Sequence, residues 1–398
     1  MTSAESVLVG ARVVLPDEVL VDGWVHVRDD TIVAVGTGSP PLARQTDLGG
    51  AWLLPGYVDL HMHGGGGYDV AASLDSMVEA VAFHREHGTT ATLVSLVTAP
   101  LEVLVEQLGW AAELTERGAG VRGTVLGSHL EGPFLSHARC GAQNTAYLRD
   151  PDPDELRAML AAARGTLRTI TVAPELTGAV ELVAQVVQAG VVAAVGHSDA
   201  TFDEGRAAIA AGATLATHLF NGMRPLHHRE PGLVGATLSS GIAFELINDG
   251  VHLHPAMTAL LSVPGRHPVL VTDAIDAAGV GDGEFMLGGQ LVDVRDGEAR
   301  LRSTGSLAGS TLTMELAVRR AVRDSGMSIE AASRAASGNP AAVLGLDQAF
   351  GAIKAGLRAD LVVLDDELWV TQVMSSGNWC DQSSAADKNG IRPNRNLV

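Results

Sequence analysis

Lysine is nearly absent from this sequence, with Lys354 and Lys388 its only two occurrences. Cysteine is as rare, Cys140 and Cys380 alone, which leaves no disulfide framework to hold a fold. Basic residues are outnumbered, 27 Lys and Arg against 46 Asp and Glu, for a net charge of −19. No basic block interrupts that excess, so a nucleic acid finds no phosphate-neutralising patch. Long apolar runs are missing too. The most apolar stretch, 183–195, is short for a membrane span and is broken by Gln185, Gln188 and Gly190. The opening residues carry no basic segment followed by an apolar one, so no secretory leader is expected. No Gly-x-Gly-x-x-Gly follows a first strand, and the glycine run Gly64 to Gly67 lacks the Lys-Ser/Thr of a phosphate loop. A soluble cytoplasmic protein without nucleic-acid or membrane partners is the expectation.

What is present fits a large globular chain. Of 398 residues, 46% are apolar and 18% charged, ample to bury a core. Both ends are rich in β-branched residues. The segments 7–14, 19–27 and 31–35 read as short strands, and the texture returns at 360–364 and 369–374. One small β-sandwich built from both termini, residues 1–55 and 345–381, follows from that. Between them, apolar strand candidates fall at 57–61, 90–97, 124–130, 168–173, 191–196, 213–218, 243–249 and 268–272. Helical patterns separate most of them: 73–87, 201–211 with the capping box Thr201-Phe-Asp-Glu204, and 310–324. Strands alternating with helices predict a closed (β/α)₈ barrel over 56–344. The doubly wound sheet is the alternative. The polar tail, 382–398, is expected to pack loosely or not at all.

The first barrel strand ends in Asp59-Leu60-His61-Met62-His63-Gly64. Residues i and i+2 of a strand point to one side, so the two imidazoles can converge on one metal ion. Most of the remaining strand candidates end in polar residues as well. They give His129-Leu-Glu131, Gly196-His197-Ser-Asp199, Thr217-His218, Asn248-Asp249 with His252 beyond, and Thr272-Asp273. Chemistry in such barrels sits at the C-terminal ends of the strands. Imidazoles and carboxylates gathered at one rim are the layout of a metal-dependent hydrolase, with Asp273 suited to be general base. Neither lysine falls on a barrel strand, so a carbamylated-lysine bridge between two metals is excluded. Glu131 is then the candidate to bridge. His84 and His87, near-helically spaced, read as exposed polar positions.

Taken together, His61-x-His63, His129-Leu-Glu-Gly-Pro-Phe134, Gly196-His-Ser-Asp199, Thr217-His-Leu-Phe-Asn221, His228-Arg-Glu-Pro-Gly232, Asp249-Gly-Val-His252, Thr272-Asp273 and Leu307-Ala-Gly-Ser-Thr-Leu312 resemble the N-acetylglucosamine-6-phosphate deacetylases of the amidohydrolase superfamily. The resemblance covers about 55–345, and the terminal segments match too. It implies that Glu131, His197 and His218 bind a main divalent ion. His61 and His63 complete a second site, with Asp273 near it. Zinc is the expected metal, with iron, cobalt and manganese as alternatives. The resemblance further implies that Asn221, Gly222, His252, Leu307, Ala308 and Gly309 line the sugar site. His228 and Arg229 would hold the phosphate across the interface of a homodimer. One departure stands out. Many members carry Gly-Ala-His where this chain has Gly141-Ala142-Gln143, and there the His contacts the substrate carbonyl. Gln143 can donate a hydrogen bond but cannot carry a proton. The implied reaction is deacetylation of an N-acetylated amino-sugar phosphate, within amino-sugar catabolism and cell-wall recycling. Alternatives are the galacto epimer, an N-acyl amino acid, or a silent metal-binding barrel.

Overall fold

The computed structural model describes residues 5–118 and 124–380; the tail expected at 382–398 lies outside them. Eight parallel strands form the central sheet in chain order: β1 (Tyr57–Asp59), β2 (Thr89–Val97), β3 (Thr124–Glu131), β4 (Leu167–Val172), β5 (Val192–Val195), β6 (Leu215–Ala216), β7 (Ala243–Ile247) and β8 (Pro268–Val271). Helices alternate with them: α1 (Leu74–Glu86), α2 (Leu101–Glu116), α3 (Pro153–Ala162), α4 (Ala179–Gln188), α5 (Phe202–Ala210), α6 (Gly232–Ser240), α7 (Pro255–Leu261) and α8 (Met314–Arg323). This is the (β/α)₈ barrel that the alternation predicts. Strands covered on both faces carry near-continuous apolar runs. Accordingly, every residue of β2 and of β8 is buried. The main core lies between strands and helices, where Leu96, Ile170, Val195 and Leu246 meet Met77 and Val81 of α1, Leu104 and Leu108 of α2, and Val183 and Val186 of α4.

The terminal segments form one mixed sheet of eight strands. The C-terminal strand Leu361–Leu364 pairs antiparallel with Trp52–Pro55. That N-terminal strand runs through Gly56 straight into β1, so the terminal sheet delivers the chain to the barrel. A three-stranded antiparallel sheet, Gly283–Leu287, Gln290–Arg295 and Glu298–Leu301, is inserted between β8 and α8. The sequence reading did not include it. Its signal was present: alternating apolar residues on either side of Gly288-Gly289 are a hairpin pattern.

Caps hold the helix starts. Thr201 Oγ1 accepts from the Glu204 N–H, and Glu204 Oε2 accepts from the Thr201 N–H at 2.8 Å, the capping box read from sequence. The barrel closes between β1 and β8 through side chains as much as through backbone. Asp59 is fully buried. Its Oδ2 accepts from the Thr272 hydroxyl at 2.6 Å, and its Oδ1 from the backbone N–H groups of His61 and Thr272 at 3.2 Å each. Beyond it, the Asp273 N–H donates to the His61 carbonyl at 2.8 Å. Burial pushes the Asp59 carboxyl up to about 6 even though Thr272 and two backbone donors hold it down.

Asp59→Ala leaves two buried N–H groups without their acceptor, at about 1–3 kcal/mol each. Chemical denaturation of the chelator-treated protein is expected to show a lower midpoint for this variant. An unchanged midpoint would mean the seam between β1 and β8 does not depend on Asp59.

Candidate metal centre and active site

Six residues from the strand ends converge at the barrel mouth: His61 and His63 after β1, Glu131 at the end of β3, His197 after β5, His218 after β6, and Asp273 after β8. All are buried, none more than 7% exposed. They form two trios, His61, His63 and Asp273 in one and Glu131, His197 and His218 in the other, each with its ligating atoms within 4.8 Å of one another. Glu131 Oε1 lies 2.9 Å from both His197 Nε2 and His218 Nε2. Its other oxygen lies 3.3 Å from His63 Nε2. Asp273 Oδ1 is 3.2 Å from His63 Nε2 and 3.5 Å from His61 Nε2. Glu131 thus touches both trios, in the place sought for a bridging carboxylate.

The turns that present these groups are not ordinary strand ends. His197, His218 and Asp273 have φ of 46°, 24° and 50°. Left-handed backbone costs an L-residue roughly 1–2 kcal/mol and clusters where function holds it in place. The turn swings each side chain from the strand direction into the mouth. Close packing behind them explains two glycines. A Cβ on Gly222 would sit 2.8 Å from His197 Nδ1, and one on Gly309 would sit 2.8 Å from the Asp273 carbonyl.

The donor set fits a cation. His61 Nε2 and His63 Nε2 are 3.0 Å apart, and His197 Nε2 and His218 Nε2 are 3.1 Å apart. Two lone pairs at that distance repel unless a proton or an ion lies with them. The far sides of the rings are fastened elsewhere. His63 Nδ1 meets the Ser95 carbonyl at 3.0 Å, and His197 Nδ1 meets the Arg139 carbonyl at 2.9 Å. An Nδ1–H held by an acceptor leaves Nε2 free to bind metal. Below them, His129 is buried between Ser95 Oγ at 3.0 Å and Thr171 Oγ1 at 2.9 Å. Its burial and the nearby His61 hold its pKa well below the ordinary value, so it forms an uncharged floor.

Burial opposes charge on Glu131, Asp273, His61 and His63, but opposite charges outweigh it. Against burial, His61 and His197 hold Glu131 well below its usual range. His61 and His63 likewise hold Asp273 at about 2. His61 is raised well above its ordinary value despite its burial, by Asp273, Glu131 and Glu245. His63 rises to about 9, its burial outweighed by hydrogen bonds to Asp273 and Glu131.

Above the cluster lies a cavity of about 250 Å³. Gln143, Asn221, Gly222, His252, Leu307 and Gly309 line it together with His63, Glu131, His197, His218 and Asp273. His61 lies beneath, and Ala308 is buried behind the wall against Ile275 and Val292. Gln143 does not point freely into the space: its amide donates to Glu131 Oε2 at 2.6 Å and accepts from the Thr98 N–H at 2.9 Å. His252 Nδ1 meets Asp249 Oδ2 at 2.7 Å. Against its burial, that bond raises the His252 pKa. His228 and Arg229 are exposed on the loop 221–231 and lie outside this lining; Arg229 donates to His228 Nε2 at 2.8 Å.

Other features escaped the sequence reading. Leu287, on the inserted sheet, lines the cavity, and Gln290 Nε2 ties that hairpin to the Ala142 carbonyl at 2.6 Å. His84 is not exposed as its spacing suggested. It is 1% exposed and bonds the Gly64 carbonyl at 2.8 Å through Nε2, steadying the turn after the His pair. Burial lowers its pKa to about 4, so it stays neutral. His87 is half-buried and pairs with Glu315 Oε2 at 2.9 Å. Glu245 of β7 is buried at the cluster's base. A lone carboxylate within the apolar run Ala243-Phe-Glu-Leu-Ile247 was its signal.

A (β/α)₈ barrel with buried imidazoles and carboxylates at its mouth defines a metal-dependent hydrolase. The chain belongs to the amidohydrolase family, whose sequence profile matches residues 52–380. A solved N-acetyl-D-glucosamine-6-phosphate deacetylase from Mycobacterium smegmatis is similar to it. That structure, an Asp-to-Ala mutant in complex with N-acetyl-D-glucosamine-6-phosphate, is 46% identical, with a TM-score of 0.90, over 94% of this chain and 99% of that one. An N-acetylgalactosamine-6-phosphate deacetylase of Escherichia coli O157:H7 is 38% identical over 93% of this chain and 98% of its own. An N-acetylglucosamine-6-phosphate deacetylase of Bos taurus is 39% identical over 84% of each.

Ligation needs neutral imidazole, so an ion entering the cluster displaces the protons that His61 and His63 hold at neutral pH. Affinity is therefore expected to rise with pH through neutrality, because both imidazoles are raised above their ordinary value. Calorimetric zinc titrations in two buffers of different ionisation enthalpy measure the released protons. Equal heats in both would contradict the protonated state.

Proposed function

We propose that this chain hydrolyses the acetamide of N-acetylglucosamine 6-phosphate to glucosamine 6-phosphate and acetate, in amino-sugar catabolism and cell-wall recycling. The observation that carries the reading is the placement of Asp273 in the cavity wall, with its Oδ1 3.2 Å from His63 Nε2 and a Glu131 oxygen 3.3 Å from the same nitrogen. Relatives named for this reaction span nearly the whole chain. His61, His63, Glu131, His197 and His218 would hold one or two divalent ions, zinc foremost, with Glu131 shared when both are bound. When bound, such an ion supplies Lewis acidity toward the acyl oxygen and makes water more acidic.

The chain's own groups do the rest. Asp273, ionised and acceptor-only, takes the proton of the attacking water and returns it to the leaving sugar amine. His252, held in place by Asp249 at 2.7 Å, offers its other ring nitrogen to the sugar. Asn221, Gly222 and the segment 307–309 shape the space around it. Gln143 presents an amide beside Glu131 and contributes no proton. His228 and Arg229 hold the phosphate from the neighbouring subunit of a two-fold dimer, which explains their exposure on a projecting loop. Arg229 suits this task because its planar fork binds phosphate oxygens in pairs. A phosphorylated sugar does not cross a bilayer unaided, so the reading carries a cytoplasmic location with it.

Acetate release distinguishes the substrates. N-acetylglucosamine 6-phosphate is expected to exceed the unphosphorylated sugar and N-acetyl amino acids. The galacto epimer belongs in the same assay because one relative is named for it. Asp273→Asn should lose about 10²–10⁴-fold in kcat while still binding substrate. Near-normal turnover would place the base elsewhere.

Arg229→Ala removes a charge-assisted contact of about 1.5–3 kcal/mol, roughly tenfold to a hundredfold in kcat/KM for the phosphorylated substrate. An unphosphorylated N-acetyl sugar should be little affected. Mixing Arg229→Ala with Asp273→Asn subunits should restore activity, because a hybrid dimer contains one site with both residues intact. No recovery, in a mixture shown to exchange subunits, would put Arg229 in its own subunit's site.

A further inference from the structure

Glu245 is 1% exposed in the middle of β7, and among the described residues no Arg or Lys pairs with it. A buried carboxylate without a cation costs several kcal/mol, so its surroundings must compensate. Both side-chain contacts fall on one oxygen. Oε2 lies 3.1 Å from His61 Nδ1 and 3.1 Å from the backbone N–H of His218. One side chain therefore touches a member of each trio.

The four imidazoles of the cluster are fastened unequally. His63 and His197 donate from Nδ1 to neutral backbone carbonyls. His218 Nδ1 is buried with no partner. Only His61, among these four, has a carboxylate at Nδ1. That contact fixes the proton on Nδ1, aims the Nε2 lone pair at the mouth, and makes the ring a stronger donor. Partners of this kind change metal affinity by roughly 10–100-fold. The contact to His218 is of another sort, since a backbone N–H needs only an acceptor.

We propose that Glu245 is a positioning residue that sets the ion affinity of the His61, His63 and Asp273 trio by acting through His61. This rests on the proposed occupation of the two trios by metal. The Glu131, His197 and His218 trio should depend on it far less. In Glu245→Gln the amide oxygen can still accept from both donors, so the geometry is kept while the charge is lost.

The full-length protein is stripped with chelator and titrated with Zn²⁺ against a competing chromophoric chelator. Wild type, Glu245→Gln, His61→Ala and the double variant are compared, with thermal melts of the ion-free proteins. Two affinities are expected for wild type. In Glu245→Gln the ion that His61→Ala also weakens should lose about 10–100-fold while the other changes little. On the His61→Ala background, adding Glu245→Gln should change nothing further, the signature of one residue acting through the other. Unchanged affinities in Glu245→Gln would overturn the inference and leave the metal reading standing. So would equal loss at both sites with a lowered melt, or full additivity with His61→Ala. A wild type that binds no ion would overturn the metal reading and the inference with it. If the Gln variant does not fold, Glu245→Asp keeps the charge but draws the carboxylate back by one methylene, and it is read in the same way.

Discussion

The mouth of this barrel confines Glu131 and Asp273, 3% and 7% exposed, among four imidazoles, and no arginine or lysine of the described residues lines it. Isolated carboxylates do not survive such burial as ions unless positive charge stands beside them. Protonated imidazoles or a metal ion are the compensations this geometry allows. Much of the surrounding structure follows from that one electrostatic requirement. The Nδ1 atoms of His63 and His197 are tied to backbone carbonyls so that Nε2 points inward. Asp59 and Thr272 lock the seam that carries His61 and Asp273. His129 below is kept neutral, because a further positive charge there would compete with an ion for the same carboxylates.

Those parts of the site that a strand's period dictates were readable from the chain. Alternation puts His61 and His63 on one side, and apolar runs that stop at His197, His218 and Asp273 mark the strand ends. The barrel was legible for a related reason. Buried parallel strands leave near-continuous apolar runs, and Thr201 with Glu204 announces a helix start. What was hidden depends on tertiary structure. Nothing local in the sequence announces the left-handed backbone of His197, His218 and Asp273, or the close approach of Gly222 to His197 and of Gly309 to Asp273. His84 looked exposed because its helical spacing carries no record of the glycine turn, 64–67, that folds back over α1. Glu245 could have been suspected from its apolar neighbours, but its partner lies 184 positions away in sequence.

The inserted sheet completes the pocket from above. Its apolar side, Val292, Val294 and Leu301, packs with Ile275 and Ala308. The segment 307–309 therefore rests on a small core of its own. Leu287 reaches the cavity from the hairpin while Gln290 anchors that hairpin to Ala142 in the facing loop. The buried imidazoles and carboxylates stand on strand ends of the barrel. The side chains that line the cavity above them stand on loops braced against each other. Precision is needed for the first set and adaptability for the second, and the barrel architecture separates them.

Gln143 shows how one substitution is absorbed by this electrostatic frame. A histidine there would stand beside Glu131 and add a fifth imidazole to a cluster where His61 and His63 are already raised by the same carboxylates. It would share in the charge balance and respond to pH. The glutamine amide donates to Glu131 Oε2 and accepts from Thr98 with no charge of its own. Glu131 keeps its orientation, and compensation of its charge stays with the four imidazoles around it. At this position the side chain can steer a carboxylate or a carbonyl through hydrogen bonds but carries no proton itself; under the proposed function, proton transfer falls to Asp273.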